Sequence, residues 1–150
     1  MKLSQFTILL VEDEPDDVKH IERAFRKAKL ANPLQVVNDG DAAVAYLKGE
    51  PPYDDRSRYP LPTLMLLDLK LPRRSGLEVL TWIREQPQLK RLPVVILTSS
   101  RERNDVNSAY DRYVSSYLVK PVAFDALLEL MQSVNMYWIL CNEKPDVELV

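Results

Sequence analysis

Short apolar runs recur along the chain, and each run ends abruptly at polar or charged residues. The runs that are almost entirely apolar cover residues 6–11, 63–67, 93–97 and 117–119. A strand with one solvated face would alternate apolar and polar residues, whereas these runs are typical of strands buried on both faces of a parallel sheet. Residues 34–37 (LQVV) fit a weaker fifth strand. The pattern therefore predicts five parallel strands.

Stretches with helical spacing separate these runs. Apolar residues recur every three or four positions after Pro15 and within residues 39–48, 76–86, 106–113 and 124–134. Alternation of strands and helices predicts an α/β fold with an open, doubly wound sheet of five parallel strands. Residues 49–62 make a connection longer than usual. We assign residues 1–135 to one domain and residues 136–150 to a C-terminal tail.

Polar side chains directly follow four of the predicted strands. Glu12 and Asp13 follow the first strand, Asp68 the third, Thr98 the fourth and Lys120 the fifth. In a parallel sheet these ends meet at one edge, where the sites of α/β proteins form. Three neighbouring carboxylates repel one another unless a cation balances them, and Mg²⁺ prefers carboxylate and phosphate oxygens. The set therefore indicates Mg²⁺-dependent phosphoryl transfer to a carboxylate.

Each of these residues, taken alone, also has an ordinary structural explanation. Glu12 and Asp13 could mark a helix start, and Asp68 could begin a turn. Thr98 could cap the next helix, and Lys120 could be a solvated lysine at a strand end. The chemical interpretation is favoured because all of them fall at the same end of different strands.

Composition and charge narrow the class of protein. The chain has 150 residues, enough for one domain, with 20 basic and 22 acidic residues and a net charge of −2. This balance gives no support to nucleic-acid binding, which needs a clustered basic surface. The single cysteine, Cys141, permits no internal disulfide, and the single histidine, His20, falls on the polar side of the first helix. Without a signal-peptide pattern or an apolar run of ~20 residues, we expect a cytoplasmic protein that does not enter the membrane.

Five sequence motifs together resemble the receiver domains of response regulators. They are residues 11–14 (VEDE), 67–72 (LDLKLP), Gly76, 97–100 (LTSS) and 117–121 (YLVKP). The resemblance covers about the first 135 positions. It implies a flavodoxin-like receiver fold and a role in two-component signalling, with a sensor histidine kinase upstream and a downstream protein target or phosphotransfer protein.

The resemblance also implies a role for each matching residue. Asp68 would be the phosphoacceptor. Mg²⁺ would be bound by Asp13 directly, by Glu12 mostly through water, by Asp68, and by the backbone carbonyl of Lys70. The remaining implied roles are phosphoryl binding by Thr98 and Lys120, a switch pair of Thr98 and Tyr117, and a cis peptide bond before Pro121.

A narrower resemblance is to the small single-domain regulators associated with bacterial and cyanobacterial phytochrome histidine kinases. It is based on the long connection before Thr63, on residues 89–95 (LKRLPVV) and on the aromatic pair Tyr137 and Trp138. Lys70 departs from this subgroup, which often has Asn at that position. Since only the backbone carbonyl would bind the metal, chelation is preserved, but a nearby cation would alter the lifetime of the phosphoryl group.

Three alternatives compete with this interpretation. An FMN carrier would share the fold, but residues 12–17 (EDEPDD) would repel a phosphate. A phosphatase of the haloacid-dehalogenase kind would have a second Asp where Lys70 stands. A phosphorylation-independent interaction scaffold would keep the fold, although the complete set of polar residues argues against it. We therefore expect a phosphoacceptor with possible autodephosphorylation and not a turnover enzyme.

The tail adds a prediction about assembly. Residues 136–140 (MYWIL) continue the apolar character past the last predicted helix. Exposed apolar patches usually mark interfaces, and Tyr and Trp are favoured anchors there. The tail, with Tyr137 and Trp138, therefore predicts a homodimer; the alternative is that it folds back onto its own domain.

Overall fold

The computed structural model describes residues 6–27 and 32–120 together with 125, 126 and 129. Strands and helices alternate along the chain. In order they are β1 (Ile8–Val11), α1 (Pro15–Lys27), β2 (Leu34–Val37), α2 (Gly40–Lys48), β3 (Leu64–Leu67), α3 (Gly76–Glu85), β4 (Val94–Thr98), α4 (Arg103–Asp111) and β5 (Ser116–Val119). The strands form one parallel sheet in the order β2-β1-β3-β4-β5. The predicted flavodoxin-like, doubly wound fold is confirmed.

The hydrophobic core lies in two layers, one on each face of the sheet. Successive residues of a strand point to opposite faces, so Leu9 and Val11 join the layer beneath α2, α3 and α4, whereas Ile8 and Leu10 join the layer beneath α1. All residues of β1, β3 and β4 are buried. Along these three strands, polar groups can therefore reach solvent only beyond the strand ends.

Local capping fixes where α3 begins, next to the end of β3. The Ser75 side chain accepts a hydrogen bond from the Glu78 backbone, and the Glu78 side chain accepts one from the Ser75 backbone. Gly76 follows because there is no room for a side chain: a Cβ atom there would lie 2.2 Å from the carbonyl oxygen of Asp68. The start of α3 thus packs directly against the backbone of Asp68.

The long connection of residues 49–62 packs against the C-terminal end of α2. The rings of Tyr46, Tyr53 and Tyr59 form a cluster with centroids 5.2–5.9 Å apart. The guanidinium of Arg56 donates to the carbonyl oxygens of Tyr46 and Leu47, both at 2.8 Å. Both carbonyls lie in the last turn of α2, beyond its regular intrahelical hydrogen bonds, and that of Tyr46 also accepts from the backbone N–H of Gly49.

The structure departs from the sequence prediction at the end of α4. The predicted helical pattern ran through Tyr113, but α4 ends at Asp111, and Tyr113 has a positive φ of 61°, which lies outside the right-handed helical region. Tyr110 and Tyr113 are 49% and 79% exposed, so neither belongs to the core. The helical spacing of residues 106–113 therefore extends two residues beyond the end of α4.

Other predictions fall largely outside the described residues. Of the predicted helix over 124–134, residues 125, 126 and 129 are described, and these are helical. The tail, Cys141 and the peptide bond before Pro121 lie outside the described ranges. Within those ranges, no helix combines the length and the apolar character needed to cross a membrane.

Candidate functional site

Three carboxylates converge at the carboxyl ends of β1 and β3. Glu12 and Asp13 follow β1, Asp68 follows β3, and one oxygen from each lies within 4.8 Å of the others. Glu12 and Asp68 are buried, whereas Asp13 is exposed. We call these three residues the acidic pocket. Its donor set fits a hard divalent cation, because Mg²⁺ and similar ions prefer carboxylate oxygens and Asp13 leaves one side open to solvent.

One lysine supplies an internal cation to this pocket. The ammonium of Lys120, directly after β5, donates to Asp68 Oδ2 at 2.8 Å and to Asp17 Oδ2 at 3.0 Å. It also donates to Glu12 Oε1. The ammonium thus bridges residues from three separate segments and partly balances the crowded negative charge.

The ionisation of Glu12 and Lys120 reflects this crowding. Burial raises the pKa of Glu12 from 4.5 to about 7, although the hydrogen bond from Lys120 opposes the shift. Burial alone would lower the pKa of Lys120, but its hydrogen bonds to Asp68, Glu12 and Asp17 outweigh burial and raise it. A bound divalent cation would favour the ionised form of Glu12, because an adjacent positive charge stabilises a carboxylate.

The carboxylate of Asp68 is held on both oxygens. Oδ2 accepts from Lys120, and Oδ1 accepts from the backbone N–H of Lys70 at 3.1 Å. The side chain of Lys70 turns to α4, where its ammonium lies 3.5 Å from the carboxylate of Asp105. The two lysines nearest Asp68 therefore have different neighbours: one binds the acidic pocket and the other binds a helix outside it.

Thr98 and Tyr117, the predicted switch pair, meet through Ser100. Thr98 is fully buried at the end of β4, and its hydroxyl lies 3.5 Å from the backbone N–H of Ser100. The Tyr117 hydroxyl donates to the carbonyl oxygen of Ser100 at 3.0 Å. Burial raises the pKa of Tyr117, so its hydroxyl keeps its proton as a donor.

Sequence reasoning missed three residues around the site. Asp17, in the first turn of α1, shares Lys120 with the acidic pocket. Ser100 and Asp105 connect the end of β4 to α4 through a hydrogen bond of 2.5 Å. The acidic run of residues 12–17 was a signal for Asp17, and the motif of residues 97–100 contained Ser100. Nothing in the pattern around Asp105 indicated its contacts.

Comparison with known proteins gives a consistent result. A sequence profile for the response regulator receiver domain matches residues 8–132. The chain is 37% identical over 132 residues to the response regulator Rcp1 of Synechocystis sp., covering 88% of each chain. It is also 37% identical over 140 residues to the probable methanogenesis regulatory protein FilR2 of Methanothrix harundinacea, covering 93% of this chain and 88% of that one.

Solved structures of similar proteins share the fold over nearly the whole chain. The Mn²⁺-bound form of Rcp1 is 36% identical with a TM-score of 0.78, covering 93% of this chain and 99% of that one. The phosphorylated cyanobacterial phytochrome response regulator RcpA is 35% identical with a TM-score of 0.78, covering 93% of this chain and 98% of that one. These likenesses join the sequence motifs and the sheet topology in indicating one family.

Proposed function

The chain belongs to the response regulator receiver domain family, and we propose that it is a single-domain response regulator that accepts a phosphoryl group from a sensor histidine kinase on Asp68. The observation that carries this proposal is the position of the Asp68 carboxylate, which lies in the acidic pocket with the Lys120 ammonium 2.8 Å from Oδ2. Phosphoryl transfer asks a protein mainly for positioning and charge neutralisation, and this arrangement offers both.

In the proposed reaction, a carboxylate oxygen of Asp68 attacks the phosphorus of a phosphohistidine on the kinase. The new P–O bond forms an acyl phosphate, the P–N bond breaks, and its electron pair returns to the imidazole, which then takes up a proton. The hydrogen bonds from Lys70 N–H and Lys120 to the two Asp68 oxygens fix the plane of the carboxylate. Because the Lys120 ammonium already contacts Asp68, it can also stabilise the negative charge on the oxygens of the transferred phosphoryl group.

A divalent cation, which we propose to be Mg²⁺, would neutralise phosphoryl charge when bound. The proposed ligands are Glu12, Asp13, Asp68 and the backbone carbonyl of Lys70. Support comes from the three carboxylates that lie within 4.8 Å of one another. The Mn²⁺-bound form of Rcp1 shows that a similar protein binds a divalent metal.

Signal output would depend on Thr98 and Tyr117. We propose that the Thr98 hydroxyl donates to a phosphoryl oxygen. This would change the contact between that hydroxyl and the backbone N–H of Ser100. Because Tyr117 donates to the same Ser100, the two switch residues share a neighbour whose backbone can respond. A phosphoryl group would then bias the binding of a downstream protein target or phosphotransfer protein by its differential affinity for two conformations.

We propose that the chain acts in the cytoplasm and that its partner is a sensor histidine kinase of the phytochrome type. The support is the likeness to RcpA, described as a phytochrome response regulator, and to Rcp1. The chain is as similar in sequence to FilR2, a probable methanogenesis regulatory protein, as to Rcp1, so the type of kinase is decided by experiment. Phosphotransfer from a panel of purified, phosphorylated kinases would do so, and fastest transfer from a kinase with no photosensory domain would contradict the phytochrome assignment.

The phosphoacceptor itself is tested with acetyl phosphate and Mg²⁺, followed by mass spectrometry of the intact protein. We expect one phosphoryl group on the wild-type protein and none on Asp68→Asn. Asp111→Asn removes an exposed carboxylate at the end of α4 and serves as the matched control that should label normally. Equal labelling of Asp68→Asn and the wild-type protein would show that Asp68 is not the acceptor.

A further inference from the structure

Two lysines adjoin Asp68, and the structure directs only one of them into the acidic pocket. The backbone N–H of Lys70 contacts Asp68 Oδ1 at 3.1 Å, so the side chain of Lys70 starts beside the pocket. Its ammonium nevertheless lies 3.5 Å from the carboxylate of Asp105 on α4. The Lys70 side chain is 61% exposed and the Asp105 side chain 17%, so the lysine has room to move and the aspartate does not.

Asp105 is itself fixed by the loop after β4. Its Oδ2 accepts a hydrogen bond of 2.5 Å from the Ser100 hydroxyl. The Ser100 oxygen in turn accepts from the backbone N–H of Glu102 at 3.3 Å, and Ser100 is 9% exposed. A carboxylate held in this way offers the Lys70 ammonium a fixed partner outside the acidic pocket.

We propose that Asp105 is a positioning residue that keeps the Lys70 ammonium on the α4 side and so leaves the acidic pocket free for a divalent cation. This inference rests on the proposed function, because it assumes that the pocket binds Mg²⁺. A lysine ammonium without this partner is attracted by the carboxylates of Asp13 and Asp68. There it competes with the metal for the same oxygens and repels it.

The role is specific to the Lys70 side chain in this chain. The backbone carbonyl of Lys70 is a proposed metal ligand, so its side chain cannot be distant from the metal. A neutral residue at this position would need no restraint. The Lys70–Asp105 pair therefore compensates for a cation placed next to a cation site.

The test measures Mg²⁺ affinity of the full chain by titration, following backbone amide chemical shifts of the acidic pocket. Asp105→Asn keeps an oxygen that can accept from Ser100 but removes the charge that holds Lys70. We expect its Mg²⁺ dissociation constant to rise roughly two- to fivefold, the range set by a partly exposed ion pair. Asp111→Asn, in the last turn of the same helix, removes one charge without this contact and should leave the constant unchanged.

A double-mutant cycle separates positioning from a direct effect of the Asp105 charge on the metal. In a Lys70→Met background there is no ammonium to restrain, so Asp105→Asn should no longer weaken Mg²⁺ binding. Urea unfolding midpoints in EDTA measure the stability of each variant. The changes in the Mg²⁺ dissociation constant must not parallel the changes in stability. An unchanged constant in Asp105→Asn, or an equal weakening with and without Lys70, would overturn the inference. Absence of saturable Mg²⁺ binding in the wild-type protein would instead contradict the proposed function.

Discussion

The ammonium of Lys120 lies 2.8 Å from Oδ2 of Asp68, across 52 positions of sequence. The same ammonium contacts Asp17 and Glu12, so one lysine serves carboxylates that follow β1, begin α1 and follow β3. The positive charge of Lys120 therefore offsets the electrostatic repulsion among these carboxylates.

Replacing Lys120 should have opposite effects on stability and on metal binding. Lys120→Met leaves Glu12 and Asp68 buried without their cation, so the free energy of unfolding at pH 8 in EDTA should fall by roughly 3 kcal/mol. Mg²⁺ affinity should rise, because a positive charge is removed from the pocket, and saturating Mg²⁺ should restore part of the stability. Urea unfolding with and without Mg²⁺ measures both effects. Lys70→Met is the control, with a stability change within about 1 kcal/mol; equal changes in both variants would contradict the special role of Lys120.

Stability should depend on pH through Glu12. Because burial raises its pKa from 4.5 in the unfolded chain to about 7 in the folded one, its contribution is fully present below pH 4.5 and is lost as the pH rises through 7. In EDTA, unfolding free energy should therefore decrease between pH 5 and pH 8 by about 3 kcal/mol. Mg²⁺ should reduce this slope, since the cation favours ionised Glu12.

Glu12→Gln is the matched variant for this pH dependence. It cannot ionise, so its unfolding free energy in EDTA should vary less between pH 5 and pH 8 and should exceed that of the wild-type protein at pH 8. Urea unfolding at a series of pH values gives the comparison. A slope as steep in Glu12→Gln as in the wild-type protein would assign the effect to another group.

A methyl group at position 76 should disturb the acidic pocket through the backbone of Asp68. In Gly76→Ala the new Cβ would lie 2.2 Å from the Asp68 carbonyl oxygen and 2.6 Å from Leu69 Cα, so the backbone has to shift. We expect a stability loss of about 1–3 kcal/mol and weaker Mg²⁺ binding. Ser75→Ala removes only the helix cap, at a cost of about 1 kcal/mol. Unchanged Mg²⁺ affinity in Gly76→Ala would show that the pocket does not depend on this contact.

The tail should support a homodimer. Truncation after Val134 removes Tyr137, Trp138 and their apolar neighbours, and we expect the intact chain to sediment as a dimer and the truncated chain as a monomer. Tyr137→Ala with Trp138→Ala in the full chain should weaken association in the same direction, since large aromatic side chains anchor interfaces. If intact and truncated chains both sediment as monomers at tens of micromolar, phosphorylated or not, no such dimer exists.

The order of elements and the edge at which the site forms could be predicted from the sequence. Uniformly apolar runs identify strands buried on both faces, and parallel strands place their carboxyl ends together. The predicted strands therefore required four side chains to lie close together at one edge of the sheet: Glu12, Asp13, Asp68 and Lys120. The start of α3 was also predictable, because Ser75 and Gly76 are local signals that act within one turn.

Contacts between side chains of different elements were decided only by the tertiary structure. Periodicity reports whether a position is buried, but not which residue from another element it meets. Asp17 contacts Lys120 across 103 positions, and Lys70 contacts Asp105 across two loops, so no local pattern encodes either pair. Tyr113 shows the converse: its spacing fits a helical face, yet α4 ends two residues earlier and leaves it exposed. The sequence determined the sheet and the acidic pocket at its edge, whereas three-dimensional packing decided which cation each carboxylate binds.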